Sequence, residues 1–195
     1  MPAVDDRSIG YNRSMAFDSA KLTTKTQAAF LAAQNLALEE KHSQVDLPHL
    51  LLALLDQPEG IISLLLEQAQ IDHARLPQRL VHLLVDQPHF SGETSQPNLS
   101  RDLEQTLAGA AGIARGSGDE YLSTEHLLLS IFGFVNATRQ VLQGFGLDPK
   151  NNLGRANIFD INQGKIIVDF AHNVAGFNAL INLARGLVKD QGRII

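Results

Sequence analysis

The sequence contains an internal duplication, and this feature constrains the fold more than any other. When the chain is moved along itself by 77 residues, two segments match, and His49 falls on His126. Several matches in a fixed order indicate that one structural unit occurs twice. The matched stretches are residues 22–37 with 99–114, 46–55 with 123–132 and, after a one-residue slip, 65–72 with 141–148.

Each copy has the apolar spacing of amphipathic helices. Asp46 is suited to cap a helix that has Pro48 in its first turn, where the missing N–H costs nothing. Thr24 and Gln27 have the spacing of a capping box for the first helix. The predicted helices begin near residue 24, span 46–55 and 61–69, and run from 72 or 76 to 85; in the second copy they span 100–115, 123–133 and 136–145.

Two such small units bury little surface separately, so we expect them to pack face to face around a pseudo-two-fold axis and share one core. Gly109 and Gly112 lie inside a predicted helix, and we expect them to allow close approach where the copies meet. The predicted fold class is all-α: two pseudo-symmetric four-helix repeats form one domain, followed by a short α/β tail. The predicted organisation is a flexible leader at residues 1–16, a repeat domain at 17–149 (repeats 17–86 and 98–149) and a separate segment at 150–195.

The composition excludes several classes of protein and site. A net charge of -5 gives no electrostatic reason to expect nucleic acid or an anionic membrane as partner. There is no cysteine, which excludes disulfides, thiolate chemistry and cysteine-ligated metals. No apolar run approaches the ~20 residues that span a bilayer, and the polar N-terminus lacks a secretory apolar region, so we expect a cytoplasmic location.

The sequence also lacks the motifs of common catalytic and cofactor sites. Its Gly164-Lys165 pair is preceded by Phe159 where a phosphate-binding loop requires glycine. The histidines show no zinc-ligand spacing, and the equivalent positions of His49 and His126 favour capping or packing. We therefore expect no catalytic residue, no metal and no cofactor, and hence a protein that is not an enzyme.

Three segments of the duplicated region carry a family resemblance. They are LTTKTQAAFLAAQNLALEEKHSQVDLPHLLLALLDQPEG from residue 22, LLEQAQID from residue 65 and GSGDEYLSTEHLLLSIF from residue 116. Together they resemble the N-terminal double-repeat domain of Clp-type AAA+ unfoldases, in particular of ClpB-type disaggregases, over about residues 17–149. The resemblance implies a mobile, non-catalytic domain of a chaperone. It would capture unfolded or aggregated polypeptide, or dock adaptor proteins, ahead of an ATPase ring.

The resemblance also implies a peptide-binding surface. By motif it assigns Thr23 in LTTK, Asp119 in GDEYL and Glu125 in STEH to that surface. A hydroxyl and two carboxylates around an apolar groove can hydrogen-bond extended backbone without demanding one sequence. The alternative is structural, with Thr23 as a helix N-cap and Glu125 as a first-turn charge. The implied apolar neighbours are Leu22, Tyr121 and Leu122.

The segment from residue 150 follows a different pattern. Ile158–Ile161 and Lys165–Phe170 are predicted strands, about 175–188 is a predicted helix, and 193–195 begin a further strand. This β-β-α-β order suggests a piece of a parallel α/β sheet.

Within this segment, GRANIFDINQGKIIVDFAHNVAGFNALINLARGL from residue 154 is similar to the start of the C-terminal domain of Mur-type ligases such as cyanophycin synthetase. The ligase motif Asp-Tyr-Ala-His-Asn-Pro corresponds here to Asp169, Phe170, Ala171, His172, Asn173 and Val174. Valine in place of proline, and the missing phosphate-binding loop, indicate an inactive remnant. The alternatives for the whole chain are a fragment of an ATP-dependent Mur-type ligase, completed by a partner chain, and a folded fragment without function.

Overall fold

The structure is a computed structural model, and it describes residues 19–68, 72, 74–90, 96–149, 157–161, 164–168 and 174–188. The first repeat contains four helices: α1 (Thr24–Glu39), α2 (Leu47–Leu55), α3 (Ile61–Gln68) and α4 (Arg75–Leu84). The second repeat contains α5 (Arg101–Ser117), α6 (Thr124–Ile131) and α7 (Ala137–Gly144). The remaining elements are a 3-10 turn at Ser19–Lys21, strands β1 (Gln44–Val45), β2 (Asn98–Leu99), β3 (Asp148–Pro149), β4 (Asn157–Ile161) and β5 (Gly164–Val168), and helix α8 (Val174–Leu187).

The helix starts follow from side-chain caps. Asp46 caps α2 with Pro48 in the first turn, as expected. In α1, however, the cap is Thr23 rather than Thr24, since the Thr26 N–H donates to the Thr23 hydroxyl. Gln27 donates its side-chain amide to the carbonyl of Leu22 instead, so the capping box expected from Thr24 and Gln27 is wrong by one residue.

The two repeats are related by a pseudo-two-fold axis, as the backbone contacts at their junction show. Val45 of β1 lies beside Leu99 of β2 in parallel register. The 77-residue offset converts this pair into Leu122 and Leu22, and these two residues form an isolated parallel bridge. Each end of one repeat therefore pairs with the start of the other.

A single interior serves both repeats. Helix α3 packs on α6, and α4 packs on α7. Burial of these apolar side chains is the main favourable term that holds the repeats together. One continuous hydrophobic cluster includes residues from both copies, among them Phe30, Leu47, Leu50, Leu54, Leu80, Leu103, Leu127, Leu128, Leu129 and Leu142. The predicted all-α fold with a small strand-containing tail is confirmed.

The second repeat differs from the first at its end. Among the described residues it has three helices, and the chain then enters β3 and β4 where a fourth helix was expected. β3, β4 and β5 form a three-stranded sheet in which both pairings are antiparallel. The parallel sheet expected for the tail is therefore wrong for the strands that are described, and the last predicted strand, 193–195, lies outside the described residues.

The two helical glycines of α5 do not lie between the repeats. A Cβ added at Gly109 would stand 2.4 Å from the Ser130 hydroxyl of α6, so the close approach is within the second repeat. The Ser130 hydroxyl donates to the carbonyl of Thr106 on the same helix, α5. Gly112 has no atom within 4 Å of its added Cβ, so the role expected for it is wrong.

In the part of the chain that the structure describes, no helix combines the length and the apolar character needed to cross a membrane.

Candidate functional site

The six predicted site residues gather at one end of the inter-repeat junction. The N–H of Thr23 donates to the carbonyl of Leu122 at 3.0 Å, and the N–H of Leu122 donates to the carbonyl of Lys21 at 2.7 Å. These bonds tie the start of α1 to the loop that precedes α6. Asp119 and Glu125 flank Leu122, each three residues away, so the fold brings the whole set to one corner of the domain.

Helix ends position this corner. α5 ends at Gly118, whose φ of +80° lies in the left-handed region where glycine has no steric penalty. The chain turns there and presents Asp119 and Tyr121 before α6 begins. Thr23 caps α1 directly opposite this turn.

The apolar members of the set have different environments. Leu22 and Leu122 are 4% and 3% exposed and belong to the shared core. Tyr121 is 49% exposed and is the apolar member of the set that reaches solvent. An incoming chain at this corner would therefore contact the Tyr121 ring, with the two leucines beneath as support.

Asp119 is bound to a buried histidine. His126 Nε2 lies 3.2 Å from Asp119 Oδ2, and the histidine side chain is 2% exposed against 28% for the aspartate. The backbone N–H of Ser123 donates to His126 Nδ1, so the ring hydrogen is on Nε2 and donates to the carboxylate. Burial lowers the pKa of His126, and Asp119 and Glu125 partly oppose that shift. The imidazole therefore orients Asp119 while one of its carboxylate edges faces solvent.

Thr23 and Glu125 also have local partners. The Thr23 hydroxyl is 2.8 Å from the Thr26 hydroxyl, and Glu125 accepts from the Thr124 hydroxyl at 3.1 Å. The structural roles that the sequence left open for these residues are thus present. Both side chains are half-buried, so each keeps surface that a ligand can reach.

The opposite end of the junction holds the pseudo-symmetric counterpart of this corner. There the 77-residue offset places Ser100 for Thr23 and His42 for Asp119. His42 is buried, and its Nδ1 lies 2.9 Å from His49 Nε2. The ring of His89, from the loop between the repeats, packs edge-on against His42 with centroids 5.0 Å apart.

Further bonds close this counterpart. Ser100 donates its hydroxyl to Asp46, and Gln87 donates to the other carboxylate oxygen of Asp46 at 2.8 Å. The linker continues this cover, since the N–H of Phe90 donates to the carbonyl of Lys41. The duplication thus leaves one corner covered by the inter-repeat loop and the other with Tyr121 exposed.

The contact of His42 with His89 was missed from the sequence. The 77-residue alignment already placed His42 on Asp119, which was a usable sign that the two ends differ. His49 and His126, by contrast, both complete capping boxes through their Nδ1 atoms, as their symmetry predicted.

The ligase-like residues Asp169, His172 and Asn173 lie outside the described residues. Among the residues that are described, no group of three or more His, Cys, Asp or Glu side chains could hold a metal ion.

Comparison with known proteins identifies the family. The family model described as Clp repeat (R) N-terminal domain matches residues 21–145. The chaperone protein ClpB of Mycobacterium tuberculosis is 35% identical over 133 residues, which are 68% of this chain and 16% of that protein. The chain thus spans about a sixth of the length of the curated relatives it matches.

Solved structures agree on the fold. The N-terminal domain of the ClpV1 ATPase from E. coli is 26% identical, with a TM-score of 0.57 over 65% of this chain and 77% of that one. A complex of a ClpV N-domain with VipB peptide is 22% identical, with a TM-score of 0.54 over 65% and 79%. The duplicated helices, their shared interior and the family match lead to one conclusion: the chain belongs to the Clp repeat N-terminal domain family.

Proposed function

We propose that this chain is a non-catalytic binding domain of a ClpB-type chaperone that recognises unfolded or aggregated polypeptide, or an adaptor protein, at the corner around Tyr121. Thr23, Asp119 and Glu125 would contact the backbone of the bound chain, and Tyr121 would contact its apolar side chains. Residues 17–149 would form this domain, and the cytoplasm is the compartment in which we expect it to act.

The observation that carries the proposal is the difference between the two ends of the junction. Both corners are built from the same elements, yet the inter-repeat loop covers the His42 end. At the other end the Tyr121 ring is exposed beside a carboxylate that a buried histidine orients. The family match and the ClpV N-domain complex with VipB peptide support a peptide as the ligand.

The proposed interaction is weak for a single copy. A small, partly polar corner gains little beyond the freedom that association removes, so we expect a dissociation constant on the order of 10–100 μM or weaker. Several copies on one ring would raise the overall affinity through their high effective concentration.

The test is binding of fluorescently labelled α-casein, a chain without stable tertiary structure, followed by fluorescence anisotropy. Tyr121→Ser removes the exposed ring without opening the core, and we expect affinity to fall roughly fivefold or more. Glu125→Gln should weaken binding by roughly twofold. Val135→Ser is the matched control, because Val135 is also exposed and lies on the loop between α6 and α7.

Equal binding by the Tyr121→Ser variant and the Val135→Ser control would reject this corner as the binding surface. Absence of any casein binding at 200 μM protein, roughly the upper end of the expected range, would reject the function itself for a single copy.

For residues 150–195 we propose an evolutionary relation to the C-terminal domain of Mur-type ligases, without ligase activity. The order β4, β5, α8 agrees with the predicted strand–strand–helix pattern. Isothermal calorimetry with ATP and magnesium tests this, and we expect no heat of binding.

A further inference from the structure

A second groove lies between the two repeats, away from the Tyr121 corner, and nothing in the proposed function uses it. It runs between α4 of the first repeat and α7 of the second and encloses about 620 Å³. Because the described part of the second repeat has no counterpart of α4, the groove occurs once in the domain. Among the described residues its lining is Arg75, Gln78, Arg79, Leu83, Ala137, Gln140, Val141, Gly144 and Phe145.

The α4 wall of the groove is cationic. Arg75 and Arg79 are one helical turn apart, so their side chains lie on the same face of α4. Both are exposed, and no carboxylate within the described residues forms an ion pair with either guanidinium. In a protein of net charge -5, two adjacent unpaired arginines form a local site for anionic groups.

The α7 wall is apolar. Val141 and Phe145 are half-buried and lie one turn apart, while Gln140 adds a neutral hydrogen-bonding group. A groove with guanidinium groups on one side and an apolar wall on the other does not fit a bare phosphate chain, which has no apolar row. It fits a peptide that carries both kinds of side chain.

We propose that this groove binds an extended peptide segment of a partner protein in which acidic and apolar side chains alternate. Successive side chains of an extended chain point to opposite sides, with same-side residues about 6–7 Å apart. This spacing is close to the 5–6 Å between residues one turn apart on a helix. One row of carboxylates would pair with Arg75 and Arg79, and the other row would contact Val141 and Phe145. Guanidinium–carboxylate pairs can be bidentate, which would fix the register of the segment.

An internal comparison groove makes the assignment selective. On the other side of α4 a groove of about 600 Å³ is lined by α1, α2, α3 and α4 and carries Glu39 and Asp56 in place of arginines. An acidic peptide should avoid this groove because of like-charge repulsion.

The probe is the blocked peptide Glu-Leu-Glu-Leu-Glu, with Gln-Leu-Gln-Leu-Gln as its uncharged match, titrated into the ¹⁵N-labelled chain in 0.15 M salt. We expect amide shifts at Gln78, Gln140 and Gly144, and affinity for the Glu peptide on the order of tenfold above that for the Gln peptide. The double variant Arg75→Gln/Arg79→Gln should abolish this difference. Arg101→Gln/Arg115→Gln makes the same change in net charge on α5 and should leave the difference intact.

Four results would overturn the proposal. They are equal affinity for the two peptides, equal effects of the two double variants, shifts centred on Asn35 and Glu39, and stronger binding of a thymidine hexamer than of the Glu peptide. Shifts at Gly144 that depend on protein concentration without peptide would also overturn it, because a second copy of the chain would then fill the groove. Casein binding at the Tyr121 corner is read out at different residues, so either idea can fail without the other.

Discussion

The two ends of the inter-repeat junction have the same plan and different chemistry. At the end formed by the first repeat, His49 donates to His42, and His89 from the linker packs over the pair. At the other end His126 donates to Asp119, and the chain beside it leaves the Tyr121 ring exposed. A duplication thus conserves the histidine cap and the backbone pairing, while one change at the capped partner, histidine or aspartate, separates a closed corner from an open one.

The largest expected effect sharpens the comparison at the paired leucines. Leu22 and Leu99 are equivalent, but Leu22 is buried whereas Leu99 is half-buried. Leu22→Ala should therefore lower the free energy of unfolding by about 3 kcal/mol, and Leu99→Ala by about 1–2 kcal/mol. Urea unfolding followed by circular dichroism measures both. Equal losses would mean that the two ends are packed alike.

The next effect concerns pH. Burial, and secondarily His42, lowers the pKa of His49 from 6.5 to about 4, with Asp46 opposing this. Burial, then His89, lowers the pKa of His42 against Glu40. A folded-state pKa below the unfolded value stabilises the fold above about pH 6.5, and that contribution is lost as the pH falls toward 4. From pH 7 to 5 we expect His49 alone to remove about 2 kcal/mol.

The matched measurement is the NMR titration of the imidazole Hε1 protons. His49 should remain neutral to lower pH than His126, because Asp119 stabilises a charged His126 ring. Hydrogen exchange should show that the linker around His89 opens first on acidification. Titration of His49 near its ordinary value would break the comparison.

A smaller effect tests the packing of α5 on α6. Gly109 and Ser130 of the second repeat correspond to Ala32 and Ala53 of the first. Gly109→Ala should cost about 1–2 kcal/mol, because the new Cβ would overlap the Ser130 hydroxyl. The double variant Gly109→Ala/Ser130→Ala reproduces the first-repeat pair and should recover most of that loss. If chemical denaturation shows no recovery, the two helix pairs do not pack equivalently.

The smallest effect lies at the ends of α1 and α5. Gly118, with φ +80°, corresponds to Lys41, with φ +58°. A lysine in this left-handed conformation is strained, so Lys41→Gly should raise the free energy of unfolding by up to about 1 kcal/mol. Gly118→Ala should lower it by about 1 kcal/mol. Thermal unfolding compares the two, and a destabilised Lys41→Gly variant would contradict the equivalence of the two turns.

Much of the fold followed from the sequence because caps and periodicity are local. Helix α2 was predicted from residue 46 and begins at Leu47, and β4 differs from its prediction by one residue. The cap of α1 was misplaced because Thr23 and Thr24 are adjacent and chemically alike, and only the bond from the Thr26 N–H distinguishes them. The predicted shared interior of the repeats is present, since a duplicated apolar pattern leaves few other ways to bury it.

The remaining features depend on contacts between distant segments. The partner of Gly109 is Ser130 on another helix, and the cover of His42 is His89 from the linker. Neither separation follows a helical or strand period, so no local pattern indicates it. The burial of Leu22 and Leu122 is likewise a property of the junction, which explains why two residues expected beside a groove instead support it from below.

The central claim is that clients contact the open end of the junction and not its covered counterpart. The most direct test is an NMR map of amide shifts in the ¹⁵N-labelled chain during titration with unlabelled α-casein. The account predicts shifts at Thr23, Tyr121 and Glu125 while Ser100, His42 and Gln44 remain unchanged. Equal shifts at both ends, or shifts at the His42 end alone, would contradict it.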